Sequence, residues 1–110
     1  MAHDEALAGR LRAALEGQDG LSEKRMFGGL AFLLDGHMAI AASSQGGILV
    51  RVDPAREDEL LARAGVEPMI MRGRPMTGWL RVAGDELGDD AALESWVGEG
   101  VSYVRTLPPK

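Results

Sequence analysis

Leu30-Ala31-Phe32-Leu33-Leu34-Asp35-Gly36-His37-Met38-Ala39-Ile40-Ala41-Ala42 is the stretch that decides the fold. Two apolar runs flank Asp-Gly, and a type I′ turn needs positive φ at both central positions, which these two residues tolerate. The pattern predicts a hairpin with strands at 30–34 and 37–43. Downstream, Ser44-Gln45-Gly46-Gly47 makes a looser turn into a third strand at 48–52, completing a β-meander. Upstream, the polar stretch 18–23 leads into a short strand around 24–27.

Helical signals bracket the meander. Leu7, Leu11 and Leu15 recur every four residues, with Asp4 as a cap and Gly17 as a stop. Asp53-Pro54 opens a second helix: Asp accepts from free amides, and Pro at the first position loses no hydrogen bond. Leu60, Leu61 and Ala64 form its apolar side, and Gly65 closes it. Strands at 69–72 and 79–82 follow. Asp89 or Asp90 then caps a last helix carrying Leu93, Trp96, Val97, Val101 and Val104, which Pro108-Pro109 stops. The expected architecture is α+β, two-layer, an antiparallel sheet with helices on one face, in the order α-β-β-β-α-β-β-α over a single domain, 1–110.

The strands are apolar on both faces. Leu30, Phe32 and Leu34 are backed by Ala31 and Leu33; Met38, Ile40 and Ala42 by Ala39 and Ala41; Ile48, Val50 and Val52 by Leu49 and Arg51. Three helices cover one face of such a sheet, so the other needs a second cover, and exposed contiguous apolar surface marks an interaction site. A homodimer through that face or its edge is the expectation.

Composition narrows the function classes. A chain of 110 residues suffices for one core without staples. With no cysteine, disulfides, thiol catalysis and thiolate metal sites are excluded. A net charge of −5 argues against direct nucleic-acid binding, which depends on surplus Lys and Arg facing phosphates. The longest apolar run, 30–34, is far too short to cross a membrane, and no signal peptide is recognisable, so a cytoplasmic location is expected.

Residue by residue, catalytic chemistry finds no foothold. His3 and His37 are the only histidines, too few for a metal cluster, and His37 beside the turn reads as solvent-exposed. Glu57, Asp58 and Glu59, like Asp85, Glu86, Asp89 and Asp90, read as solvated helix faces and caps. No serine sits in a Gly-x-Ser-x-Gly elbow, and neither glycine pair has phosphate-loop spacing. No cofactor is expected. The methionines at 26, 38, 69, 71 and 76 read as gap-filling core, and Phe27, Trp79, Trp96 and Tyr103 as core anchors. Arg25, Arg51, Arg72, Arg74 and Arg81 lie on or beside strands, and several could share a side. An anion or acidic-partner site at Arg25, Arg72 and Arg74 is the functional reading, because guanidinium forks suit carboxylates and phosphates. Pairing with the abundant Asp and Glu is the plainer one.

Two Arg-Gly segments give the chain its individuality: Lys24-Arg25-Met26-Phe27-Gly28-Gly29 and Met71-Arg72-Gly73-Arg74-Pro75-Met76-Thr77-Gly78-Trp79. Together with Asp35-Gly36, the Met38-Ala39 pair, the 49–54 helix entry, Trp96-Val97, Tyr103 and the Leu107-Pro108-Pro109-Lys110 end, their order resembles the N-terminal domain of the TfoX/Sxy family over nearly the whole chain. The resemblance implies an α+β fold grouped with secretion-chaperone-like domains, often dimeric. It also implies a link to positive regulation of competence genes through a protein partner. Full-length regulators carry a further C-terminal helical domain, which this sequence ends before. The family supplies no catalytic residues. The expected function is therefore a small non-enzymatic protein-interaction domain. The alternative is a small-anion or nucleotide-binding module using Arg25, Arg72 and Arg74.

Overall fold

Residues 5–26 and 28–108 are described by a computed structural model. The expectations placed on Asp4, Phe27 and Pro109 lie outside them. The chain forms α1 (Glu5–Ala14), β1 (Leu21–Met26), β2 (Gly29–Leu34), β3 (His37–Ala42) and β4 (Ile48–Arg51). After a 3-10 turn at Pro54–Arg56 come α2 (Glu57–Leu61), β5 (Val66–Met71) and β6 (Arg74–Val82), then a second 3-10 turn at Gly84–Leu87 and α3 (Asp90–Val104). The architecture is the expected α+β one. The lead-in strand around 24–27 starts earlier, at Leu21, and is the first edge strand ahead of the three-stranded meander. All pairs are antiparallel, in the order β1-β2-β3-β4-β6-β5.

Local chemistry accounts for the element boundaries. Asp35 and Gly36 have φ of 52° and 87°, as a type I′ turn requires. Asp53 accepts from the Ala55 amide and Asp89 from the Ala91 amide, each closing an otherwise free helix-start donor. β6 is longer than its sequence suggests. Its hairpin with β5 turns on Arg72-Gly73, again with both φ positive, at 54° and 77°. Arginine seldom takes this conformation, so the turn carried no recognisable signature. Pro75 fits within β6 because the ladder with β4 runs only from Trp79 onward, leaving one side of the strand without a ladder around Pro75.

The main core lies between the sheet and the helices. Leu7, Leu11, Leu60, Leu93, Trp96 and Val97 pack on Leu30, Phe32, Ile40, Ala42, Val50 and Leu80. Met38 departs from the expected alternation. The register runs Phe32↔Ile40 and then Leu33↔Met38, so β3 holds one extra residue, Ala39, as a bulge. The bulge sends Met38 to the face opposite Ile40, where it joins Ala31, Ala41, Leu49 and Met69. His37 is buried rather than exposed, and its Nε2 donates to the Pro108 carbonyl at 2.6 Å. The C-terminal segment after α3 folds back over the hairpin and covers the ring.

The second sheet face finds much of its cover within the chain. Ala31 and Leu49 are only 1% and 5% exposed. Across a flat sheet, β1 and β5 would stand about 24 Å apart, five strand spacings. Instead Met26 of β1 and Met69 and Met71 of β5 pack into one cluster over the central strands. The sheet therefore curls. Small alanines in β2 and β3 leave room at the centre, and long flexible methionines reach in from the edges.

Candidate functional site

The curl leaves a groove on this second face. One cavity of about 360 Å³ is lined by Lys24 and Met26 of β1, Leu33, Gly36, Met38, Arg51, and Met69, Met71, Met76 and Trp79 of the last hairpin. A second, of about 150 Å³, shares Met26, Met38, Met69 and Met71 and extends over Ala41 and Leu49 to Ser43, Gln45 and Arg81. Five methionines thus wall one trench. Met26, Met38, Met69 and Met71 are core for the curled sheet and lining for the groove at once, a dual role that sequence spacing did not reveal, whereas Met76, expected as core, is exposed and only lines the groove.

Charge is sorted across the sheet. On the helix side, arginines meet carboxylates. Arg12 donates to Glu23 at 2.7 and 2.9 Å, and Arg56 to Glu99 at 3.0 and 2.8 Å. Arg10 pairs with Asp90, and Arg105 with Asp35. The Arg12 hydrogen bonds hold the Glu23 carboxyl below the usual carboxylate range, and the Glu23 carboxylate in turn raises Arg12. On the groove side, no Asp or Glu lines either cavity among the described residues, while Lys24, Arg51 and Arg81 do line them. None of these three cations forms an ion pair with a carboxylate of the described residues.

Arg51 is the most constrained of the three. It stands opposite Trp79 in the β4–β6 register, with its guanidinium carbon 5.3 Å from the Trp79 ring centroid. Tyr103 of α3 lies on it from the helix layer, at 5.4 Å. Both rings present negative faces to the cation. A further cavity of about 480 Å³ sits at the far end of the sheet, between Gly46 and Gly65. There Arg81 faces Glu67 across the β5–β6 ladder, so the charge is balanced.

The three arginines singled out from sequence do not gather in one place. Arg25 pairs in register with Leu30 of the helix-side core and lines a separate depression with Glu5, Arg12 and Glu23. Arg72 forms the β5–β6 turn. Arg74 stands opposite Met71, hence on the groove face, at the hairpin's end. Arg51 and Arg74 thus share a face that Arg25 does not. Lys24, not among the candidates read from sequence, alternates with Arg25 and lines the groove, and at the β1 edge it also borders the depression that Arg25 shares with Glu5 and Glu23. Glu57 also takes a role its sequence context hid: its Oε1 accepts from the Gly78 amide at 2.6 Å, while the Gly78 carbonyl accepts from Val52 at 2.8 Å. These two bonds fix the chain just before Trp79.

Comparison with known proteins adds the family. No curated protein and no solved structure gives a significant match. The family model described as TfoX N-terminal domain matches residues 13–103, from the end of α1 to Tyr103 in α3. That span includes the whole sheet, the curl and both Arg-Gly segments, and on this match the chain belongs to the TfoX N-terminal domain family.

Proposed function

We propose that this chain is a small protein-interaction domain, acting by binding rather than catalysis, cytoplasmic, and linked to the regulation of competence genes. The observation that carries the reading is the β5–β6 hairpin. Ile70 is 55% exposed and Met76 36%, and they are the exposed large apolar side chains among the described residues. Both flank the Arg72-Gly73 turn at an open sheet edge, a combination that favours contact with another protein. A second copy of the chain is the partner proposed. Pro68 removes a donor from the β5 edge, which disfavours a continuous intermolecular ladder and favours side-chain packing around Ile70.

Sedimentation velocity over a range of concentrations tests this. A dimer is expected, and Ile70→Ser combined with Met76→Ser shifts it to monomer. A monomer at every concentration removes the homodimer. Unchanged competence-gene transcription on deletion removes the regulatory link. The anion-binding alternative draws its support from Lys24 and Arg51, which line the groove, rather than from Arg25, Arg72 and Arg74 acting together.

A further inference from the structure

We propose that the groove on the second sheet face binds a medium-chain carboxylate, with its alkyl tail among the methionines and its head group beside Lys24 and Arg51. This concerns the interior of the groove; Met76 borders both surfaces, whereas Lys24 and Arg51, the residues varied below, belong to the groove and not to the self-association surface at the hairpin.

Three observations converge on it. The larger cavity, about 360 Å³, falls in the range of small-molecule sites, which are mostly apolar with a few placed polar groups. Apart from Lys24, Arg51 and Trp79, its walls are thioether and aliphatic side chains, which adapt to a flexible chain and offer no acceptors to backbone amides. A peptide seated there would leave N–H and C=O groups unsatisfied, whereas an alkyl tail has none to satisfy.

Charge supplies the second observation. In a chain of net charge −5, the groove lining holds no carboxylate among the described residues and two cations, Lys24 and Arg51. An anionic head is complementary there and a cationic one is not. The third is preorganisation. Arg51 is already oriented between Trp79 and Tyr103, with no carboxylate partner among the described residues, so little side-chain freedom is lost when it meets an anion. A nucleotide fits less well, because the one aromatic face in the groove, Trp79, is occupied by Arg51.

Isothermal titration of the full chain with straight-chain carboxylates of increasing length, each below its micelle-forming concentration, tests the proposal. Acetate is expected to give no binding. Affinity is expected to rise by roughly fourfold per added methylene until the groove is filled, and then to level off. Neutral octanamide is expected to bind at least tenfold more weakly than octanoate. Arg51→Gln is expected to weaken octanoate about tenfold. Lys24→Gln, on the exposed side of β1, is expected to weaken it severalfold with an unchanged circular dichroism spectrum, which covers the case of an Arg51 variant that misfolds. Equal affinity for octanoate and octanamide overturns the head-group assignment. Absence of binding at every chain length overturns the site. Binding to phosphatidylglycerol vesicles or to an apolar-acidic peptide, without binding of free carboxylates, overturns it in favour of a macromolecular surface.

Discussion

The guanidinium of Arg51 lies over the ring of Trp79, 5.3 Å from its centroid. This contact joins the end of β4 to β6. Because Tyr103 of α3 lies on the same cation at 5.4 Å, it also links the groove to the helix layer. A residue that lines the cavity is thereby held by a residue of the opposite layer. The first expectation follows. Trp79→Ala removes a half-buried indole and the cation–π contact together, and is expected to cost about 2 kcal/mol in urea unfolding. Tyr103→Leu, which keeps the apolar bulk and loses only the ring, is expected to cost less than half of that. No cost for Tyr103→Leu would mean that packing alone, and not the stack on Arg51, matters at this point.

Gly100 and Gly98 form a matched pair on α3. A Cβ at Gly100 would stand 2.7 Å from the Ala39 carbonyl oxygen, in the bulge of β3, whereas one at Gly98 meets nothing within 4 Å. Gly100→Ala is expected to destabilise by about 1–3 kcal/mol, because the helix must move off the sheet. Gly98→Ala is expected to stabilise by about 0.5–1 kcal/mol through helix propensity. Thermal melts of the two variants check both signs.

Glu57 anchors the segment ahead of Trp79. Glu57→Ala strands the Gly78 amide and is expected to cost about 1–2 kcal/mol, while Glu57→Gln keeps an acceptor and recovers most of it. If the two variants melt together, the hydrogen bond contributes nothing.

Acid should loosen the tie between α1 and β1. The Glu23 carboxyl is held below its ordinary range by Arg12, so its contribution is fully present above the unfolded-state value. That contribution is lost as pH falls through the lowered folded-state value, hence progressively below about pH 4. Both side chains are substantially exposed, so the effect is small and salt-sensitive. Glu23→Gln is expected to lower stability slightly at neutral pH and to match the wild-type chain in strong acid. A wild-type advantage that persists unchanged into strong acid contradicts the assignment.

Legibility from sequence varied with the chemistry of each segment. Asp35-Gly36, Asp53 and Asp89 were readable because their side chains or backbone freedom have few other uses. The Ala39 bulge was not. β3 is apolar on both faces, so a one-residue slip leaves no polar residue out of place to betray it. The same ambiguity concealed the curl, which depends on alanine at the centre and methionine at the edges rather than on any motif. His37 reads as a turn residue locally, and only the returning 105–108 segment buries it. For the site, sequence supplied the arginines but not the faces from which they project. Arg25 and Lys24 are neighbours in the chain, yet only Lys24 lines the groove.

The central claim is that the methionine-walled groove is a recognition site for an alkyl chain with an anionic head. Methyl NMR of the ¹³C-methyl-methionine and leucine-valine labelled chain, titrated with octanoate, tests it most directly. The Met26, Met38, Met69, Met71 and Met76 methyls are expected to shift together and saturably, while those of Leu11, Leu60 and Val97 in the helix-side core stay in place. Shifts confined to the helix-side core, or methionine methyls unmoved at saturating octanoate, would contradict it.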